Sequence, residues 1–169
     1  ESGHAEWHVA PVDMRALVER AVATTAEVFR ERAAQVQVQL PDEAPVLQAD
    51  PDRILQVLLN LLSNAAKFVP SPGGQVQVRL ACDAQGITVC VQDNGPGVQP
   101  GHEAMIFDRF HQTDLGAQVA HGTGLGLPIS RHIAEHFGGR LWLEPTAQPG
   151  ACFCFWLPLP KAPIGDKTP

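Results

Sequence analysis

The sequence predicts an α+β fold, a two-layer α/β sandwich in which one mixed, mainly antiparallel sheet is covered on one face by helices. Three observations carry that expectation. Residues 50–68 form a long apolar helix with a clear start signal. Residues 75–91 alternate apolar and polar residues around a turn-forming segment, and 140–157 reads as a last hairpin around another. The order along the chain is helix, strand, helix, hairpin, loop, helix, hairpin. A length of 169 residues suffices for one domain with a real core. The reading divides the chain into a lead-in over residues 1–10, a domain over 11–158 and a flexible tail over 159–169.

In the lead-in, Trp7 and Val9 are candidate docking points. Asp13 caps a helix over about residues 14–33, where Leu17, Val18, Ala21, Val22, Val28 and Phe29 recur at helical spacing. Val36, Val38 and Leu40 alternate with Gln and read as a half-buried strand. Residues 46–49 read as a short strand leading into the central helix. There Asp50 is a good N-cap, Pro51 suits the first helical position and Asp52 favours the positive end of the helix dipole. Residues 70–74, Pro-Ser-Pro-Gly-Gly, end that helix. A hairpin follows, with Val76, Val78 and Leu80 on one strand and Ile87, Val89 and Val91 on the other, turning at residues 83–86. Residues 99–121 are weakly patterned, and a loop that long tends to be functional or mobile. A third helix is expected over about 126–137, with Pro128 in its first turn and Gly138-Gly139 at its end. A last hairpin turns around residues 145–150.

Composition narrows the classes. A net charge of −6 argues against a general nucleic-acid or anionic-membrane surface. No apolar run approaches the roughly 20 residues of a membrane span. The start at Glu1, without an initiator Met, suggests a piece of something longer. The four cysteines match no zinc-finger spacing. Cys152 and Cys154 are two apart in a strand-like run and point to one face, and small buried hydrophobes are the expected role of these cysteines. His132 and His136 stand one turn apart on the third helix, but with no third ligand evident a packed or solvated face is the simpler reading.

Chemistry concentrates in three places. On the central helix, Gln56, Asn60, Asn64 and Lys67 fall within an arc of about 80°. That helix is apolar over most of its surface, so the stripe belongs in the interior or in a cleft. Buried amides and an ammonium are costly unless something satisfies them, and a bound polar ligand would do so. Asp93-x-Gly95-x-Gly97 ends a hydrophobic strand. The carboxylate could accept from an exocyclic amine, and Gly97 lets a flat ring approach the backbone; an ordinary Asx turn fits these residues equally well. Gly122-x-Gly124-x-Gly126 runs into a helix and could bring several N–H groups to an anion. It is neither a Walker A loop nor a dinucleotide fingerprint, and alone it fits a structural turn just as well.

Together and in this order, the motifs resemble the nucleotide-binding domain of the histidine-kinase, gyrase, Hsp90 and mismatch-repair ATPase superfamily. Within it they resemble the catalytic, ATP-binding domain of a bacterial sensor histidine kinase, over about residues 11–158. Residues 60–68 (Asn-Leu-Leu-Ser-Asn-Ala-Ala-Lys-Phe) are similar to the N box, and 93–97 (Asp-Asn-Gly-Pro-Gly) to the G1 box. Residues 106–110 (Ile-Phe-Asp-Arg-Phe) are similar to the F box, and 122–127 (Gly-Thr-Gly-Leu-Gly-Leu) to the G2 box. The resemblance implies ATP and Mg²⁺ as cofactors. It implies that Asn64 holds Mg²⁺ through its amide oxygen, that Asn60 and Lys67 approach the phosphates, and that Asp93 accepts from the adenine amine. It implies apolar walls from Phe68, Val98 and Leu125, and backbone contact from Gly95, Gly97, Gly122, Thr123, Gly124 and Gly126. Residues 99–121 would be an ATP lid, with Arg109 near the γ-phosphate and Phe107 or Phe110 docked on neighbouring structure. Asn64 and Arg109 would be the catalytic residues.

The same resemblance implies an upstream dimerisation domain carrying the acceptor His, a response-regulator receiver as onward partner, and a homodimeric full-length protein. The location would be cytoplasmic, whether or not the sensor is membrane-anchored. Three departures stand out. Gln56 replaces the water-activating Glu of the ATPase branches and cannot act as a base, which favours a kinase over an ATPase. His111-Gln112 replaces a frequent Tyr-Arg, and Ala151 replaces a Thr whose hydroxyl helps order water under adenine. The last two leave open a degenerate module that serves as a docking platform. An anti-sigma-type serine kinase is a further alternative.

Overall fold

The computed structural model describes residues 6–108 and 126–161. Their elements, in order, are β1 (Ala10–Val12), α1 (Met14–Glu31), β2 (Gln35–Gln39), β3 (Leu47–Ala49), α2 (Pro51–Phe68), β4 (Gln75–Cys82), β5 (Gly86–Asp93), a 3₁₀ turn (Met105–Phe107), α3 (Gly126–His136), β6 (Arg140–Glu144) and β7 (Cys152–Pro158). The main sheet has five strands in the order β2-β4-β5-β7-β6, and only the β2–β4 pair is parallel. This is the expected mixed, mainly antiparallel sandwich.

Alternation along the strands gives the sheet two unlike faces. Val76, Val78, Leu80, Ile87, Val89, Val91, Phe153, Phe155 and Leu157 point to the helices and are buried. The central helix supplies Ile54, Val57, Leu58, Leu61 and Leu62 to the same core. Each such side chain contributes roughly 1.5–3 kcal/mol on burial, so packing rather than helix propensity holds α2 in place. Asp50 caps α2 as expected, accepting from the N–H groups of Asp52 at 3.1 Å and Arg53 at 3.3 Å. At the end of α2, Arg32 Nη2 donates to Lys67 O at 3.4 Å and to O of the capping residue Val69 at 3.0 Å.

The lead-in does more than the sequence indicated. Residues 10–12 pair antiparallel with residues 47–49 as a small second sheet. Trp7 docks on α3, stacked on His136 with ring centroids 3.8 Å apart and edge-on to Phe137 at 5.4 Å. Trp7 stacks on the His132/His136 face, but both histidines stay exposed, and Val9 is exposed as well. The strand at 35–39 is an edge strand with Val38 exposed, because it pairs on one side only.

The cysteines need correction. Cys90 and Cys154 are direct cross-strand partners and are disulfide-bonded, while Cys82 is exposed. Only Cys152 is a free, buried thiol. The pairing depends on the β5–β7 register over a sequence separation of 64, which no local pattern reveals.

Candidate functional site

The polar stripe of α2 is neither sealed in the core nor fully open to solvent. Gln56, Asn60, Asn64 and Lys67 are all half-buried. Asn60 Nδ2 donates to Gly126 O at 3.3 Å and to Ser130 Oγ at 3.0 Å. It therefore joins the middle of α2 to the first turn of α3. Among the described residues nothing hydrogen-bonds the side chains of Gln56, Asn64 or Lys67. Asn64 thus presents an uncommitted amide oxygen, the hard donor type that suits a small divalent cation, beside the Lys67 ammonium.

The second part of the site is the corner after β5. Asp93 is 5% exposed. Its Oδ1 accepts from Gly95 N–H at 2.9 Å and from Ala151 N–H at 3.3 Å. Burial pushes the Asp93 carboxyl above the ordinary range, and those two backbone donors offset the push only in part. No donor among the described residues reaches Oδ2, which is left for a ligand.

Asn94 pins the corner by accepting from Gln75 N–H at 2.7 Å and donating to Gly73 O at 3.0 Å. Gly95 presses on the last turn of α2, where a Cβ would fall 2.6 Å from Phe68 O. Gly97 has φ +78° and faces Gly150, whose carbonyl oxygen would be 2.7 Å from an added Cβ. Phe68 and Val98 are half-buried beside it.

The structure therefore brings two of the expected motifs together directly, at Gly95 and Phe68. It brings the start of α3 to the same helix through Asn60. Beyond them Ile106 is buried, and Phe107 packs edge-on against Phe153 at 6.3 Å with the Arg131 guanidinium 5.6 Å from its ring. Phe107 is thus docked on neighbouring structure, as expected. Arg109, Phe110, His111, Gln112, Gly122, Thr123, Gly124 and Leu125 lie outside the described residues.

Four residues have roles at the site that the sequence reading did not assign to them. Ser130 is the partner of Asn60, Asn94 fixes the corner, Ala151 donates to Asp93, and Gly150 supports the same corner from the last hairpin. Only Gly150, after Pro149, and Asn94, before Gly95, carried a turn signal that could have pointed to them.

A five-stranded mixed sheet backed by helices, with a polar stripe on α2 that adjoins both the start of α3 and an aspartate–glycine corner, defines an α/β sandwich of the ATPase type. The chain belongs to the histidine kinase-, DNA gyrase B-, and HSP90-like ATPase family, whose description matches residues 49–161. It is 35% identical to the sensor histidine kinase MtrB of Mycolicibacterium paratuberculosis over 100% of this chain and 32% of the relative. It is 34% identical to the circadian input-output histidine kinase CikA of Synechococcus elongatus over 94% of this chain and 21% of the relative. The chain thus spans a third or less of these curated relatives.

Among solved structures, full-length ShkA in complex with AMPPNP superposes with TM-score 0.80 at 31% identity, covering 93% of this chain and 32% of that one. The catalytic domain of histidine kinase ThkA superposes with TM-score 0.79 at 28% identity, covering 89% and 95%. Among the described residues, no helix is long and apolar enough to cross a membrane.

Proposed function

We propose that this chain is the ATP-binding catalytic domain of a two-component sensor histidine kinase. It positions the γ-phosphate of ATP for transfer to a histidine on a dimerisation domain outside the chain, from which the phosphoryl group passes to an aspartate of a response-regulator receiver. The observation that carries this reading is the convergence on α2. Its polar stripe adjoins the Asp93 corner at Phe68 and Gly95, and the start of α3 at Asn60 and Gly126. Likeness to ShkA, solved with AMPPNP, and to sensor kinases over nearly the whole chain supports the same reading.

In this proposal Asp93 Oδ2 accepts from the adenine amine, while Oδ1 stays on its two backbone donors. Phe68, Val98 and Leu125 wall the base, and the Gly95 and Gly97 backbone allows it to approach. Asn60 and Lys67 face the phosphates, with Gly122, Thr123, Gly124 and Gly126 offering backbone N–H groups. Asn64 and Arg109 complete the catalytic set.

The uncommitted amide oxygen of Asn64 fits Mg²⁺. That ion, when bound, would supply charge neutralisation at the phosphates. The protein's own contribution is positioning and electrostatics. Gln56, on the same stripe, has no carboxylate to activate water, so transfer to an acceptor is favoured over hydrolysis. The domain proper is proposed to run over residues 11–158, with 1–10 leading in from the dimerisation domain. The full-length protein would be a homodimer acting in the cytoplasm, with or without a membrane anchor.

The test is transfer of labelled γ-phosphate from ATP to the histidine-bearing dimerisation segment of the same full-length protein. Sustained, magnesium-dependent labelling is expected. Binding of magnesium–nucleotide without transfer would point to a docking platform, and rapid phosphate release without an acceptor to a true ATPase; either result overturns the kinase assignment.

A further inference from the structure

The sheet face turned away from the helices carries a feature that the nucleotide site does not use. Across the sheet, one row of outward positions reads Arg79, Cys90, Cys154 and Trp142, and the next reads Gln77, Gln92, Cys152 and Glu144. Three of the chain's four cysteines thus occupy one patch, on three positions of two neighbouring strands. Their sulfur atoms all lie within 4.8 Å of one another. Cys152 Sγ and Cys154 Sγ are 3.7 Å apart.

Although they sit on the uncovered face, Cys152 and Cys154 are 2% and 1% exposed. The neighbouring outward side chains are large: Trp142 and Trp156 flank the strand pair, with the Arg140 guanidinium 4.9 Å from one ring and 5.9 Å from the other. Cys90 is half-buried and leaves a way in.

We propose that, once the Cys90–Cys154 disulfide is reduced, Cys90, Cys152 and Cys154 form a three-thiolate site for a thiophilic divalent cation of the zinc and cadmium class. Two ligand sulfurs on one such ion, at metal–sulfur bonds of about 2.3 Å and a tetrahedral angle, stand about 3.8 Å apart. Cys152 and Cys154 already have that separation. With the disulfide open, the Cys90 sulfur is released to turn toward the other two, which already lie within 4.8 Å of it.

The arrangement favours a shared ion over thiol–disulfide exchange. Sulfurs separated by no more than 4.8 Å and 3.7 Å from Cys152 place its thiol to the side of the Cys90–Cys154 bond rather than in line with it. Charge is also met. Three thiolates around a divalent ion leave one net negative charge, and Arg79 is opposite Cys90 and interacts with Cys152. Burial raises the Cys152 thiol above its ordinary range; Arg79 pulls it back toward ionisation, while Glu144, opposite it on β6, and Asp93 push it further up.

The chemistry balances. A phosphine takes up oxygen from water as it converts the disulfide to two thiols. Binding then releases three protons as the three thiols become ligands. The patch is separate from the proposed nucleotide site, so the test needs no assay of phosphoryl transfer.

The reduced chain is titrated anaerobically with Cd²⁺, following the thiolate-to-cadmium charge-transfer absorbance, and its thiols are counted by alkylation with and without metal. One ion per reduced chain is expected, with three thiols protected and Cys82 still reactive. The oxidised chain should show no band. Cys82→Ser should bind as the parent does, whereas Cys152→Ser and Cys154→Ser should each weaken binding at least tenfold. Absence of the band from the reduced parent chain, equal uptake by the oxidised chain, or protection of fewer than three thiols would overturn the proposal. The thiol count is made on the parent chain, so it decides the matter even if a serine variant folds poorly.

Discussion

Gly150 lies against the main chain of Asp93: a Cβ built on Gly150 would fall 1.9 Å from the Asp93 carbonyl oxygen, and Gly150 itself has φ +128°. The next residue, Ala151, exchanges hydrogen bonds with Asp93. Its carbonyl accepts from Asp93 N–H at 2.9 Å, and its N–H donates to Oδ1 at 3.3 Å. The turn between β6 and β7 therefore seats the carboxylate that the proposed function assigns to the base. Gly150→Ala should combine backbone strain with a steric clash that backbone must move to relieve. A loss of at least about 2 kcal/mol is expected in urea denaturation, with nucleotide affinity falling in parallel. An unchanged denaturation midpoint would show that the turn relaxes freely and does not seat Asp93.

Asp93 itself should show opposite effects on stability and binding. Its carboxyl is held above the ordinary range chiefly by burial, so the folded state binds the proton more tightly than the unfolded state. That contribution is fully present below the unfolded pKa and is lost as pH rises through the folded pKa. At neutral pH the ionised group is a net cost. Asp93→Asn keeps an oxygen for the Gly95 and Ala151 donors and removes the charge. The variant should melt at a higher temperature than the parent at pH 7, and the difference should vanish in acid. The amide replaces the Oδ2 acceptor with a donor, so affinity for an adenine nucleotide should drop at least tenfold. A variant less stable than the parent at pH 7 would contradict the desolvation argument.

Asn60 and Asn64 sit one turn apart on α2 and should respond differently to truncation. Among the described residues Asn64 has no hydrogen-bond partner. Asn64→Ala should therefore change stability by no more than about 0.5 kcal/mol while removing magnesium-dependent nucleotide binding. Asn60→Ala loses the bonds to Ser130 and Gly126. It should cost about 1 kcal/mol in the absence of any ligand. Calorimetry with magnesium–nucleotide, set beside denaturant unfolding, separates the two. Equal stability losses would mean that the α2–α3 contact through Asn60 is unimportant.

What could be read in advance follows physical range. The Asp50 cap, the α2 stripe and the hairpin alternation are local, set within a few residues by side-chain geometry and period. Asn60, Asn64, Lys67, Asp93, Gly95, Gly97 and Gly126 stand out in such local patterns, Phe68 and Val98 enter only through the family resemblance, and the fold gathers these residues along α2, at the corner after β5 and at the start of α3. The unread features are pairings at a distance. Residues 10–12 contain Pro11 and have no alternation, yet they pair with 47–49. Register alone sets Cys90 opposite Cys154. Trp7 finds His136 across the helical layer. Ala151 was read for the hydroxyl it lacks, whereas its described part in the site is a backbone N–H that any residue except proline would supply.

Asp50 joins a pairing at a distance to the most local one. One oxygen caps α2 through Asp52 and Arg53, while Oδ2 accepts from the His8 N–H at 3.0 Å and so ties the lead-in to the start of the helix. Burial by itself would raise this carboxyl, but the three backbone donors, with Arg53 beside them, outweigh it and hold the group below the ordinary range. The folded state thus favours the ionised form. Its contribution is present above the unfolded pKa and is lost as pH falls through the folded pKa. Removing the cap alone costs about 1 kcal/mol, and losing the part-buried hydrogen bond from the His8 N–H adds to it. Asp50→Ala should therefore lose about 1–2 kcal/mol at pH 7. The gap from the parent should narrow as the pH is lowered through the carboxylate range. Asp50→Asn keeps both acceptor roles only in part, because one oxygen becomes a donor facing His8 N–H. Its stability should fall between those of the parent and Asp50→Ala. Denaturant unfolding of the three proteins at neutral and acid pH measures the gap. A loss for Asp50→Ala that is independent of pH would mean that packing of the side chain, rather than its charge-assisted hydrogen bonds, stabilises this end of α2.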